Sequence, residues 1–265
     1  KNIPTKTLAE VFDEQLKGRN IDVLDIDTEG IDIQVLKSNN WEKYKPNVIL
    51  VITDDQGYGD LGCHGNPWIK TPNIDRLAKM GTLFSNNYCQ QSVCGPTRAS
   101  LMTGMRPDYT KVWDLKTQMR DINPDIVTLP QYLISQGYNT VGTGKIFHPS
   151  SAIKKIDPVS WNLPYMEPEA SDYANGLGKP ANSQYQKPEN KAMFLVKKER
   201  AQRDDDDEMP TSIKGPSIEN YDVPDNAYDD GVITIKAKAQ MIKMHGDKKP
   251  FFLAIGYHKP HLPFV

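Results

Sequence analysis

The stretch Pro46-Asn-Val-Ile-Leu-Val-Ile-Thr-Asp-Asp-Gln-Gly57 decides how this chain folds. Its first half is a short, continuous apolar run with no polar alternation. Such a run is what a strand buried in a parallel sheet requires. The run ends in Asp54 and Asp55. Acidic residues directly after a buried parallel strand lie at its carboxyl end, the edge where open α/β sheets bind ligands.

The same pattern recurs outward from this stretch. Residues 71–80 read as a helix, with Pro72 in its first turn and Gly81 just past its end. Residues 82–85 read as a strand. A helix is expected over 97–103, opening just after Cys94-Gly95-Pro96. Residues 129–136 form another, stopped by Gly137, and a strand over 138–142 leads into Gly144-Lys145. Residues 149–225 are rich in proline and read as loop, and the acidic run 204–208 as a solvated part of it. A long helix over 229–245 precedes a second buried strand, Phe251-Phe-Leu-Ala-Ile-Gly256, which ends at Tyr257-His258-Lys259-Pro260-His261. Upstream, residues 1–44 read as a small βαβ-like unit, with strand alternation over 21–26 and helical spacing at Ile31, Val35 and Leu36. Strands alternating with helices predict an α/β fold around a largely parallel sheet.

Composition narrows the function. The chain has 265 residues, 38% hydrophobic and 25% charged, as in an ordinary globular protein. A formal net charge of −2 argues against a general nucleic-acid binder, which carries a basic excess. No apolar run reaches the roughly 18–20 residues of a membrane span. The first 13 residues have no apolar core behind their positive charges, so they do not read as a signal peptide. Three cysteines, Cys63, Cys89 and Cys94, make no disulfide framework and raise the question of what a lone thiol does.

Three strand ends and one helix start carry polar chemistry. Asp54 and Asp55 repel each other, and keeping both ionised in a partly buried place calls for a cation; hard oxygen donors suit Ca²⁺ or Mg²⁺. The alternative is a pair of turn or cap acids. Cys94, at a helix amino terminus with Arg98 one turn on, sits in a field that favours an anion. A buried structural thiol is the competing reading. Lys145 and His148 follow a glycine-rich strand end and can face an anion, or can be a surface lysine and a loop histidine. His258 and His261 are placed to bind metal or move protons, or to pack.

Together, residues 46–265 resemble the type I, formylglycine-dependent sulfatase family. Three motifs in order carry the resemblance: the Pro46–Gly57 stretch, Thr71-Pro-Asn-Ile-Asp-Arg-Leu77, and Cys94-Gly-Pro-Thr-Arg-Ala-Ser-Leu-Met-Thr-Gly104. The third is similar to the family's Cys-x-Pro-x-Arg pattern, with Thr97 where serine is more frequent. Lys145-Ile-Phe-His148 and Gly-Tyr-His-Lys-Pro-His261 are most similar to the iduronate-2-sulfatase branch. The resemblance implies an alkaline-phosphatase-like α/β sandwich and hydrolysis of a sulfate ester on a sugar. It implies Ca²⁺ (or Mg²⁺) on Asp54, Asp55 and the modified Cys94, and a maturation enzyme that converts Cys94 to formylglycine. One hydroxyl of the hydrated aldehyde attacks sulfur, and the other lets sulfate leave. Arg98 then stabilises the nucleophile, Lys145 binds sulfate, His148 orients or deprotonates the diol, and His261 contacts sulfate near the leaving oxygen, with His258 a weaker candidate. The family's remaining metal ligands and a further lysine normally follow later in the sequence than Val265, so little turnover and weak Ca²⁺ binding are expected of this chain alone. The branch implies a periplasmic, secreted or lysosomal location.

Residues 1–45 resemble the closing part of an FkbM-type methyltransferase. Thr7-Leu-Ala-Glu10, Leu24-Asp-Ile-Asp-Thr-Glu-Gly30 and Val35-Leu-Lys-Ser-Asn-Asn-Trp41 carry that resemblance. The expected division is therefore a methyltransferase-like remnant over 1–45 and the amino-terminal catalytic part of a sulfatase domain over 46–265. A methyltransferase's glycine-rich cofactor loop is absent, so methyl transfer is not expected. The competing functions are a phosphodiesterase or phosphonate hydrolase of the same fold, and an inactive sulfatase-like or chimeric protein that at most binds sulfated glycan. A cysteine at position 94 disfavours most phosphatases, which carry serine or threonine there.

Overall fold

The computed structural model describes residues 7–16, 40, 45–174, 177–180, 185–203 and 215–265. The expected strand over 21–26, the helical spacing around Ile31 and the acidic run 204–208 lie outside the described residues. In chain order the principal elements are α1 (Leu8–Leu16), β1 (Val48–Ile52), α2 (Pro72–Met80), α3 (Cys94–Thr103), α4 (Leu129–Ser135), β2 (Asn139–Gly144), α5 (Pro188–Arg203), α6 (Asp229–Gly246) and β3 (Phe251–Gly256). No helix among the described residues is long and apolar enough to cross a membrane.

The three strands form one parallel sheet in the order β1-β3-β2. β3 is therefore central, and all six of its residues are buried. Its side chains alternate between two cores. Phe252 and Ala254 pack with Ala99, Met102, Leu129 and Leu133 on the side of α3 and α4. Phe251, Leu253 and Ile255 pack with Ile233, Ala237 and Met244 of α6 on the other. A strand covered by helices on both faces has no polar position to spare, which is why its sequence is a continuous apolar run. The result is the helix–sheet–helix sandwich expected from the sequence.

β1 departs from its reading as a fully buried strand. Only Val48 is buried and Val51 is 55% exposed. Among the described residues β1 pairs on one side only, so its outer edge stays open. Residues 82–85 form no strand, and Leu83 and Phe84 are exposed. Helix α5 falls inside the segment read as loop. Its apolar residues, Ala192 to Val196, come as one block instead of at helical spacing, so periodicity could not reveal it. Helix α3 starts at Cys94, three residues before the expected Thr97. The first N–H groups of a helix have no acceptor within it, so Pro96 in that first turn interrupts nothing.

Strand register shapes the edge of the sheet. Ile52 of β1 and Gly144 of β2 both pair with Gly256 of β3. The three carboxyl ends are thus level, and the residues after them emerge on one edge. Gly144 has φ of 74°, and a side chain there would meet the Gly256 carbonyl. A side chain on Gly256 would in turn meet the Lys145 carbonyl. These two glycines let the chain turn Lys145 over the sheet edge, where its N–H donates to the Gly256 carbonyl at 2.8 Å.

Candidate active site

Asp54 leaves β1 two residues beyond its end and is 3% exposed. Both carboxylate oxygens are taken. Arg98, one turn into α3, donates from Nη2 to Oδ1 at 2.9 Å, and Lys145 donates from Nζ to Oδ2. Arg98 is itself buried, and its guanidinium also reaches the carbonyls of Lys145, Ile146 (3.3 Å) and Thr53 (3.4 Å). One side chain therefore ties α3 to the ends of β1 and β2. Burial pushes the Asp54 carboxyl up, but Lys145 and Arg98 outweigh it and hold it below the usual carboxylate range. Two cations around one carboxylate leave a formal excess of +1, beside the positive end of α3.

Cys94 opens α3 four residues before Arg98, so both lie on the same helix face. Its thiol is free and partly buried. The Cys94–Gly95 backbone is packed closely: a Cβ on Gly95 would lie 2.6 Å from the Asp114 carbonyl and 3.1 Å from Ser151 Oγ. Thr97, in the position where serine is more frequent, donates its hydroxyl to the Gln91 carbonyl. That bond ties the helix to the loop before it.

His148 lies close enough to the same group for burial, and then Lys145 and Arg98, to push its imidazole below its ordinary pKa, with Asp54 pulling weakly the other way. Its Nδ1 accepts from the Ser150 N–H at 3.3 Å, so the ring stands neutral at neutral pH. The structure thus groups Asp54, Arg98, Lys145 and His148, with Cys94 one helical turn away.

Asp55 and His261 lie apart from that group. Asp55 adopts a left-handed backbone (φ 61°), which aspartate tolerates better than most residues. Adjacent carboxylates are thereby split, Asp54 inward and Asp55 outward. His261 Nε2 stands 3.6 Å from Asp55 Oδ2, with both side chains about half exposed. His258 has its backbone N–H on Asp230, and burial pushes its ring below its ordinary pKa.

Two residues to which the sequence reading gave no role, Asp230 and Lys259, make contacts at this edge. Asp230 accepts the N–H groups of His258 and Lys259, and Lys259 directs its ammonium to the carbonyls of His261 (3.2 Å) and Pro263. An acid in the first turn of a helix reads as a helix-start charge, so nothing local marked Asp230 as reaching a strand end.

A divalent ion would need several oxygen donors at this edge. Among the described residues no group of three or more His, Cys, Asp or Glu side chains is arranged to hold a metal. Asp54, Asp55 and Cys94 are not brought into such a group, and Asp54 is already neutralised by Arg98 and Lys145. Ca²⁺ takes six to eight oxygens. In this arrangement the residues present do not fit the ion.

Comparison with known proteins agrees with the fold. Residues 46–265 match the family model described as Sulfatase, and residues 1–74 match Methyltransferase FkbM domain, so the two overlap over 46–74. Iduronate 2-sulfatase of Homo sapiens is 36% identical over 220 residues, covering 82% of this chain and 36% of its own length. A sulfatase of Formosa agariphila is 29% identical over 231 residues, covering 83% of this chain and 40% of its own. The chain thus spans well under half the length of these relatives. The crystal structure of Ps i-CgsB superposes with a TM-score of 0.53 at 30% identity, covering 82% of this chain and 46% of that one. The fold is alkaline-phosphatase-like, and the chain belongs to the sulfatase family.

Proposed function

We propose that the protein hydrolyses sulfate esters of sugars, with Cys94 as the precursor of its nucleophile. The observation that carries this reading is the cationic surplus at the sheet edge. Arg98 and Lys145 share one carboxylate, one helical turn from a free thiol at a helix amino terminus. A sulfate ester is an anion whose reaction concentrates charge on oxygen, and fixed cations and helix N–H groups stabilise that charge.

In this reading Arg98 has a double task. It fixes the ends of β1 and β2 through three carbonyls, and it presents positive charge to the Cys94 face of α3. Lys145 holds the sulfate, and its ion pair with Asp54 fixes the direction of the ammonium. His148 is neutral at neutral pH with Nδ1 engaged by the Ser150 N–H, so its Nε2–H is the group able to orient the diol. His261 stands at the exposed rim, where it meets the leaving-group side of a substrate. As formylglycine, residue 94 would supply a geminal diol, one hydroxyl attacking sulfur and the other allowing sulfate to depart. Converting it requires an oxidising maturation enzyme as partner.

The ion that the family resemblance implies, Ca²⁺ or Mg²⁺, carries no step in this proposal, because Asp54 is already paired with Arg98 and Lys145. Asp54 and Asp55 are the carboxylates this chain offers, and further donors are needed. A uronic acid or related sugar is the substrate class, and an exported or lysosomal compartment the location. Residues 46–265 are taken as the sulfatase part. Methyl transfer is not part of the proposal.

The test is turnover of sulfated mono- and disaccharides by protein co-expressed with a formylglycine-generating enzyme. Slow sulfate release by the wild-type protein and none by Cys94→Ala is the expected result. Equal release by both proteins would refute Cys94 as nucleophile.

A further inference from the structure

We infer that Asp230 is a positioning residue for the candidate site: its carboxylate grips the backbone of His258 and Lys259 and, through Lys259, sets the backbone of Asp54 and the place of His261. The functional side of this inference rests on the sulfatase reading; the structural side does not.

An acid in the first turn of a helix ordinarily stabilises its own helix start. Asp230 instead spends both oxygens on another segment. Oδ1 accepts the His258 N–H at 2.8 Å, and Oδ2 accepts the Lys259 N–H at 3.0 Å. One turn further along α6, Thr234 donates to the Asp230 carbonyl at 2.7 Å and meets the Tyr257 hydroxyl at 3.0 Å. The start of α6 therefore grips three consecutive residues, 257–259, as they leave β3. The helix start is itself fixed, because a side chain on Gly231 would run into the Asp225 carbonyl.

Lys259 passes that position on in two directions. Its carbonyl accepts the Asp54 N–H at 3.2 Å. Its ammonium reaches forward to the carbonyls of His261 and Pro263. Asp54 and His261 come from different strand ends, yet both take their place from Lys259, which takes its own from Asp230. Only a carboxylate suits the clamp. It offers an acceptor to each of two N–H groups, whereas asparagine offers one acceptor and turns a donor toward the other N–H.

The experiment is Asp230→Asn in the full chain, followed by assigned amide and imidazole NMR spectra. In the wild-type protein the His258 and Lys259 amides should lie downfield and exchange slowly. In the folded variant those shifts should be lost, and the Asp54 amide and His261 ring signals should move, while Met102 and Leu133 on the opposite face stay in place. Unmoved Asp54 and His261 signals in folded D230N would overturn the inference. Should D230N fail to fold, Asp230→Glu keeps the charge but lengthens the arm, and it must move the same two sets of signals; unmoved signals there also overturn it. Sulfate-ester turnover per folded molecule should fall about 10²-fold in D230N, the cost of a misplacement near 1 Å. If the wild-type protein itself turns nothing over, the function fails and the NMR arm still decides the positioning role.

Discussion

Removing members of the Asp54–Arg98–Lys145 group one at a time should destabilise the fold very unequally. The group carries one negative and two positive charges, so its formal sum is +1. Lys145→Met brings the sum to zero and leaves Asp54 paired with Arg98. Asp54→Asn raises it to +2, with two cations facing each other across a neutral amide. Exposure points the same way: Asp54 and Arg98 are each 3% exposed as side chains, against 12% for Lys145, which keeps partial access to water. Stripping a buried ion of its partner costs about 3–5 kcal/mol, whereas an apolar replacement that leaves no uncompensated charge is often close to neutral. D54N should therefore lose about 3–5 kcal/mol and K145M about 1 kcal/mol or less. In urea unfolding followed by tryptophan fluorescence, with Trp161 as a core reporter, an m-value near 3 kcal/mol/M turns these into midpoint shifts of about 1–2 M and under about 0.4 M. K145M should nonetheless abolish sulfate-ester turnover, separating stability from function. Equal losses in the two variants, or a stable D54N, would refute the charge argument.

Other expectations rest on the same kind of reasoning. Arg120 donates to both oxygens of the fully buried Asp157 at 2.6 and 2.8 Å, so Arg120→Met should cost about 3–5 kcal/mol in chemical denaturation. Gly95→Ala gains helix propensity worth about 1 kcal/mol but drives a methyl against the Asp114 carbonyl; strain of about 1–3 kcal/mol wins, and thermal unfolding should show a net loss. Burial pushes the Glu219 carboxyl up, but donors on Gln186, Tyr228 and Asn190 outweigh it and hold its pKa below the ordinary value of 4.5. The unfolded chain then binds that proton more readily, so Glu219 stabilises the fold above pH 4.5, and this is lost as pH falls through the lower folded value. Glu219→Gln should flatten that part of the stability-versus-pH curve. His148 is depressed below 6.5 by burial and by Lys145 and Arg98; protonation then favours the unfolded chain, and its contribution weakens stability as pH drops below 6.5. An imidazole titration by NMR that places His148 above 6.5 would contradict this.

Much of the site's location was legible because register does the assembling. Val48–Ile52 and Phe251–Gly256 announce parallel strands by their unbroken apolar runs, and Gly144 marks where β2 ends. Level strand ends then bring Asp54 and Lys145 together, and the helix that opens at Cys94 delivers Arg98. What stayed hidden was contact that no local pattern encodes. The Asp54 carboxylate, read as a cation ligand, is neutralised by Arg98 and Lys145, a pairing between residues 44 and 91 positions apart. Asp230 drew no reading at all, because its partners lie 28 and 29 residues downstream. Helix α5 escaped because a block of apolar residues has no period to read. The strand expected at 82–85 had the right residue types but no neighbour to pair with among the described residues.

The most direct test of the central claim is the chemical state of residue 94. Protein co-expressed with a formylglycine-generating enzyme would be digested, and the peptide spanning Cys94 to Arg98 analysed by mass spectrometry before and after treatment with a carbonyl-reactive hydrazide. The expected result is an aldehyde at position 94 that takes the hydrazide label, with no labelling in Cys94→Ala. An unlabelled, intact thiol at position 94, found while a control sulfatase in the same cells is converted, would contradict it.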